Sequence, residues 1–119
     1  MRVSFADTAI LGIVANEARA IKQARIAIRI LGQATSMCSE HAKLERINAQ
    51  SYKLELLERK PPKTPDGIER VSTLATYVIK VSGSQYILHK QAEEKISPIP
   101  PQELETLREL LDELIATFS

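Results

Sequence analysis

The residues best suited to chemistry in this sequence are four cations in its N-terminal third. They lie three, three and four residues apart, a spacing that puts them on one face of a helix: Arg19, Lys22, Arg25 and Arg29. No acidic residue occurs between Glu17 and Glu40. At a rise of 1.5 Å per residue this cationic face spans about 15 Å, and arginine offers permanently charged, bidentate donors. The pattern predicts contact with the phosphate backbone of a nucleic acid.

Two other interpretations of the cationic face remain open at this stage. A charged helix face is commonly nothing more than solvated surface. The same cations can also pair with acidic residues of the same chain or of a second copy.

Six further cations extend the nucleic-acid hypothesis. Three fall on a predicted second helix, among acidic neighbours, and three in a proline-rich segment: Lys43, Arg46 and Lys53, then Arg59, Lys60 and Lys63. The few aromatic residues are scattered, so no platform for stacking single-stranded bases is predicted. We therefore expect binding to RNA or DNA backbone that is independent of base sequence and steeply dependent on salt.

A thiol and an imidazole, Cys38 and His41, lie three residues apart, which is one helical turn. The usual ligand set of a structural zinc site cannot be completed, because His89 is the only other imidazole. Phosphate-binding glycine loops, zinc-protease motifs and nucleophile elbows are missing from the sequence. We predict no catalytic residue, no cofactor and no metal, and we expect Cys38 to be a partly buried thiol beside a surface histidine.

The net charge of +1 conceals a strong asymmetry along the 119 residues. Residues 1–63 carry eleven basic and six acidic side chains, whereas residues 64–119 carry five basic and nine acidic ones. The length suits one domain with its own core. A single cysteine cannot form an internal disulfide, which favours a reducing cytoplasm. No apolar run is long enough for a membrane span, so no membrane partner is expected.

Helical periodicity dominates the pattern and predicts an all-α domain of four or five helices. A first helix is predicted over Asp7–Ala34, because Gly32 and the polar residues after it indicate a stop near residues 33–36. A second is predicted over Ser39–Glu58, where apolar residues lie three, seven and three positions apart: Leu44, Ile47, Leu54 and Leu57. A closing helix is predicted over Pro101–Phe118. The apolar face of the first helix comprises Ile10, Ile13, Val14, Ile21, Ala24, Ile28 and Leu31, and that of the closing helix comprises Leu104, Leu107, Leu111, Leu114 and Phe118, widened by Leu110 and Ile115.

The middle of the chain is less regular. Residues 59–67 contain three prolines and a glycine, which predicts a stiff linker between the basic half, 1–63, and the acidic half, 68–119. Over Ile68–Lys95 the favoured prediction is helix, a break at Gly83, and helix again. The alternative is a β-hairpin over 76–89, and it is disfavoured because no other strand is predicted to pair with it.

Two isoleucines, Ile26 and Ile30, lie far from the main apolar face of the first helix and beside the cationic face. A helix that is apolar on two sides is buried on two sides. We predict that this pair contacts either the chain's own other helices or another subunit.

A long basic first helix and an acidic, leucine-rich last helix make the chain similar in outline to the small subunits of RNA-guided CRISPR effector complexes, which are Cascade-like. The likeness covers the whole chain as a pattern, with no sequence motif. The residues that carry it are Arg19, Lys22, Arg25, Arg29, Lys43, Arg46 and Lys53, with Ile26 and Ile30 as stacking contacts.

The resemblance implies an all-helical, non-catalytic accessory subunit that stacks in copies inside a ribonucleoprotein and backs nucleic acid with its basic faces. The rival hypothesis is a self-associating helical adaptor that pairs its basic and acidic halves without nucleic acid.

Overall fold

The computed structural model describes the backbone of residues 5–92 and 95–118 and the side chains of residues 17–92 and 95–118. A helix at each end of the chain flanks an antiparallel sheet whose strands follow chain order from one edge to the other. The helices are α1 (Phe5–Leu31) and α2 (Pro101–Phe118). The strands are β1 (Ser36–Cys38), β2 (Ala42–Asn48), β3 (Ser51–Lys60), β4 (Arg70–Ser82), β5 (Gln85–Ala92) and β6 (Lys95–Ser97).

The all-α prediction is wrong, and the predicted second helix shows why. Residues 39–58 fall mainly in β2 and β3, where buried and partly exposed residues alternate, as at Ala42, Lys43 and Leu44. The helical spacing that suggested a helix included Ile47, which is 54% exposed and outside the core. The chain reverses direction between β2 and β3 at Asn48, whose Oδ1 accepts a 2.8 Å hydrogen bond from the Gln50 backbone N–H.

The favoured prediction of two helices over Ile68–Lys95 is also wrong, and the hairpin alternative is confirmed. β4 and β5 pair from Thr76 with Gln91 to Ser82 with Gln85. Gly83 occupies the turn with a φ of 60°, a conformation that glycine adopts without strain. The argument against a lone hairpin does not apply, because β3 pairs along the other edge of β4.

The proline-rich segment is a hairpin loop. Arg59 and Lys60 still belong to β3, and Lys60 pairs with Arg70 at the start of β4. The register of β2 on β3 ends at Leu56, and that of β5 on β4 ends at Thr76. Residues 57–74 therefore form a two-stranded arm that extends beyond the rest of the sheet, and a 2.8 Å hydrogen bond from the Leu57 N–H to the His41 carbonyl fixes its base.

Both helices pack on one face of the sheet, and both lie close to the helices predicted from the sequence. α2 has the predicted bounds, and its leucines at 104, 107, 110, 111 and 114 are buried, although Phe118 is 46% exposed. α1 ends at Leu31, three residues before the predicted end. Gly32 follows with a φ of 58°, and its N–H donates a 3.1 Å hydrogen bond to the Ile28 carbonyl, which closes the helix. Neither helix is long and apolar enough, within the described residues, to cross a membrane.

Alanines form the buried stripe of α1. Ala20, Ala24 and Ala27 are fully buried together with Leu31, whereas Ile21 and Ile28 are only half-buried. The buried face of α1 is therefore displaced from the predicted apolar face towards the alanines. Their small side chains let α1 approach α2 and the sheet closely. Three members of that predicted face, Ile10, Ile13 and Val14, have side chains outside the described residues.

Ile26 and Ile30 are both half-buried on α1. Ile30 packs against the core, which fits the interpretation that the chain's own elements cover it.

Enlarging an alanine in this stripe should therefore destabilise the fold. We expect Ala24→Leu to lower the free energy of unfolding by about 1–3 kcal/mol, because a larger side chain cannot fit between the helices and the sheet. Urea unfolding followed by circular dichroism measures the change. The matched control, Ala18→Leu, lies on the exposed side of the same helix and should shift stability by no more than about 0.5 kcal/mol. Equal effects of the two substitutions would contradict the buried alanine stripe.

Candidate functional site

The cationic face lies on the side of α1 that points away from the core. Its four members are all exposed, while the buried alanines occupy the opposite side of the helix. None of the four makes an ion pair with any residue in the described ranges. The structure thus presents one uncompensated cation per helical turn to solvent.

The β4–β5 turn supports one end of the cationic face. The Arg25 Nη2 donates a 2.5 Å hydrogen bond to the Ser84 carbonyl, and the guanidinium lies 4.9 Å from the centre of the Tyr86 ring. Arg25, Arg29 and the turn at Gly83 line a shallow cleft of about 280 Å³. Sequence analysis missed this arrangement because Tyr86 is far from Arg25 along the chain, and only the hairpin brings the ring beneath the cation.

Acidic residues of α2 approach the other end of the face without neutralising it. Glu105 and Asp112 form ion pairs with Arg108 of the same helix, and Gln23 donates a hydrogen bond to Asp112. The hydrogen bond from Arg108 lowers the pKa of Glu105, and the charge of Arg19 contributes to a smaller extent. The acidic helix therefore satisfies these carboxylates with its own arginine, which leaves the cationic face free.

The three cations of the predicted second helix do not share a surface. Lys43 and Lys53 lie on the sheet face away from the helices, where Glu45 is 3.8 Å from each ammonium. Arg46 points to the opposite face, donates a hydrogen bond to the Gly32 carbonyl and lies 5.8 Å from the centre of the Tyr52 ring.

The two lysines are also compensated by Glu55, which lies 3.3 Å from Lys53. Burial alone would raise the pKa of the Glu55 carboxyl, but hydrogen bonds from Thr73 and Lys53 outweigh it and the pKa is lowered. This sheet face therefore carries alternating charges and little net positive potential.

The remaining predicted cations lie on the arm. Arg59 donates hydrogen bonds to the carbonyls of Glu40, at 2.7 Å, and Ser39, at 3.3 Å. Lys60 and Lys63 are exposed near the tip. Because β4 has 13 residues, the tip is about 40 Å from the Gly83 turn. The arm cations therefore do not extend the cationic face.

A second cluster joins the β1–β2 turn to α2. Glu113 accepts hydrogen bonds from the Ser39 hydroxyl at 2.7 Å and from the His41 backbone N–H at 3.1 Å. Its other oxygen lies 2.8 Å from the His41 Nδ1. We call this cluster the Glu113 latch, since one carboxylate holds both ends of the turn against the helix.

The Glu113 latch shifts both of its titrating groups. The hydrogen bond to Glu113 raises the pKa of His41 above its ordinary value of 6.5. Burial opposes ionisation of Glu113, but the hydrogen bonds from His41 and Ser39 prevail and lower its pKa below 4.5. The stability from His41 is fully present below pH 6.5 and is lost as pH rises through its raised pKa. The stability from Glu113 is present above pH 4.5 and is lost as pH falls through its lowered pKa.

The same residues are the group within the described ranges best placed to hold a cation. Ligand atoms of Glu40, His41 and Glu113 all lie within 4.8 Å of one another. However, both Glu113 oxygens already take part in hydrogen bonds with Ser39 and His41. A metal would have to compete with these contacts, so the geometry is that of a structural latch.

Cys38 is exposed, so the expectation of a partly buried thiol is wrong. Its Sγ donates to the Ser39 carbonyl at 3.4 Å and lies 3.7 Å from an Arg59 nitrogen. His41 is exposed, as expected of a surface histidine.

Comparison with known protein families, with curated proteins and with solved structures finds no match to this chain.

The latch predicts the titration of His41. We expect Glu113→Gln to lower the pKa of the His41 imidazole towards 6.5, because the neutral amide removes the charged hydrogen-bond acceptor. Proton NMR of the imidazole measures the pKa directly. Glu40→Gln is the matched control and should change it less, since Glu40 lies 4.0 Å from the imidazole without a hydrogen bond. A larger shift in the control would show that Glu113 is not the main partner.

Proposed function

We propose that this protein binds the sugar-phosphate backbone of nucleic acid through its cationic face, as a non-catalytic accessory subunit of a larger assembly. The observation that carries the proposal is the row of four exposed cations on α1 without an ion-pair partner in the described ranges. We infer a cytoplasmic location, because the exposed free thiol of Cys38 suits a reducing compartment.

The dimensions of the cationic face suit a phosphate backbone. One strand of a duplex places a phosphate about every 3.4 Å along the helix axis and winds around that axis, so a straight face about 15 Å long is on the scale of a few phosphates. A packed helix holds its cations at fixed spacing, which reduces the entropy cost of binding. Contacts to phosphate carry no sequence information, so the interaction is general for nucleic acid.

The contacts of Arg25 support the same function. A guanidinium has five N–H donors, and the hydrogen bond to the Ser84 carbonyl uses one of them. The Tyr86 ring holds the guanidinium in place by a cation–π contact. Arg25 is thus positioned in advance and keeps donors available for a phosphate oxygen.

The proposal stands on the cationic face alone. The resemblance to CRISPR small subunits implied an all-helical fold, and the sheet removes that part of the pattern. Lys43, Arg46 and Lys53 are engaged within the fold, so they are not included in the proposed interface.

Removing cations from the face should weaken binding in a salt-dependent way. We expect Lys22→Ala combined with Arg29→Ala to reduce affinity for mixed-sequence RNA and DNA, measured by fluorescence anisotropy at several salt concentrations. The slope of log K against log salt should become shallower by about 0.9 for each cation that no longer meets a phosphate of duplex DNA. Neither side chain makes a hydrogen bond or ion pair with another described residue, so the fold should be unchanged.

The matched control removes two cations elsewhere, by Lys43→Ala combined with Lys53→Ala. These lysines are paired with Glu45 and Glu55, and the control should bind as the wild type does. Absence of nucleic-acid binding by the wild type, or equal weakening in both double variants, would overturn the proposal. Salt-sensitive self-association of the wild type that depends on Lys22 and Arg29, without nucleic-acid binding, would favour pairing of α1 with the acidic α2 of a second copy.

A further inference from the structure

The arm, residues 57–74, pairs only within itself beyond its base. The register of β3 with β2 does not continue beyond Leu56, and before Thr76 the β4 strand has no register with β5. Within the described ranges, the β4 edge from Arg70 to Leu74 therefore has no neighbouring strand on the side facing away from β3. Such an edge presents backbone donors and acceptors that can pair with another strand.

The tip of the arm is both apolar and basic. Ile68 is 88% exposed and Val71 is 50% exposed, which is unusual for large aliphatic side chains. Lys60, Lys63 and Arg70 line the same tip and make no ion pair with a described residue. Asp66 and Glu69 are also exposed at the tip, and Glu69 lies 3.9 Å from Arg59, so residues 60–70 offer an apolar centre with a net excess of one positive charge.

The base of the arm has the opposite charge. The arm overhangs α2 and forms two adjoining clefts of about 480 Å³ each, which share Leu56, Leu74 and Thr106. Leucine side chains make up much of the floor of this groove, and four carboxylates line the half that also contains Arg59 and His41: Glu40, Glu58, Glu109 and Glu113. Glu58 and Glu109 make no ion pair within the described residues.

We propose that the occupant of this groove is the arm tip of a second copy of the chain. Two arms lying side by side and antiparallel, related by a two-fold axis, place each basic tip in the other copy's acidic groove. The contact is isologous, since the distance from groove to tip is the same in both copies. The free β4 edges then face each other, and Ile68 enters the leucine-lined groove.

The chain cannot satisfy its own groove in this way. The two strands of the arm pair in register from Leu57 with Thr73 to Lys60 with Arg70, which keeps the tip extended away from the base. A second copy supplies the complementary charge and the apolar side chain without any change in the fold. This self-association uses the arm and is independent of the proposed binding of nucleic acid by α1.

Sedimentation velocity over a range of concentrations tests the proposal with the full chain in the absence of nucleic acid. The wild type should form a dimer as concentration rises, and Ile68→Asp should weaken dimerisation by roughly thirtyfold. Ile47→Asp is the matched control, because Ile47 is also exposed but lies on β2, away from the arm. It should leave the dimer unchanged, and circular dichroism verifies that both variants are folded.

A charge exchange tests the antiparallel arrangement. Lys63→Glu and Glu109→Lys should each weaken dimerisation by about tenfold, whereas the double variant should recover it because the charges are exchanged between tip and groove. A wild type that stays monomeric up to its solubility limit would overturn the proposal. So would a dimer that is insensitive to Ile68→Asp, or a double variant no better than either single one.

Discussion

Burial of a single face of the sheet is the constraint on which the other features of this structure depend. The inner face packs Leu44, Leu54 and Tyr77 in one cross-strand row, and both helices must fit side by side over it. The space over the sheet is limited. The alanine stripe lets α1 approach the sheet and α2 closely, and the leucines of α2 fill the remaining volume of the core. No described helix covers the other sheet face, where lysine and glutamate residues alternate, although Val78 on this face is buried.

The same constraint decides where the charges go. Because α1 buries its alanine side, its arginines must point to solvent, on the far side of the helix from the core. α2 lies next to α1, and its carboxylates find Arg108 on their own helix and the β1–β2 turn on the sheet. The carboxylates of α2 thus pair with Arg108, Lys90 and the β1–β2 turn, and within the described residues none of them pairs with the cationic face. A chain of almost zero net charge therefore carries a distinct positive surface.

The wrong predictions from the sequence share one physical origin. Apolar residues spaced by three and seven positions satisfy a helical pattern, but Leu44 and Leu54 are equally compatible with alternation along two paired strands. The propensity of an isolated strand is weak, since a strand gains most of its stability from neighbours that are distant in the chain. The hairpin over residues 76–89 could be stated as an alternative from its turn glycine, yet nothing local indicated that β3 would complete the sheet.

Local sequence was sufficient for the elements whose stability is itself local: α2 with its leucine stripe, α1 to within three residues of its end, a break in regular structure at Gly83 and the spacing of the cations on α1. Each of these depends on residues within a few positions of one another. Tertiary contacts were needed for the sheet, the separation of Lys43 from Arg46 on opposite faces, the ring of Tyr86 beneath Arg25, and the Glu113 latch. These contacts join residues far apart in the chain, and their energies exist only once the strands have paired.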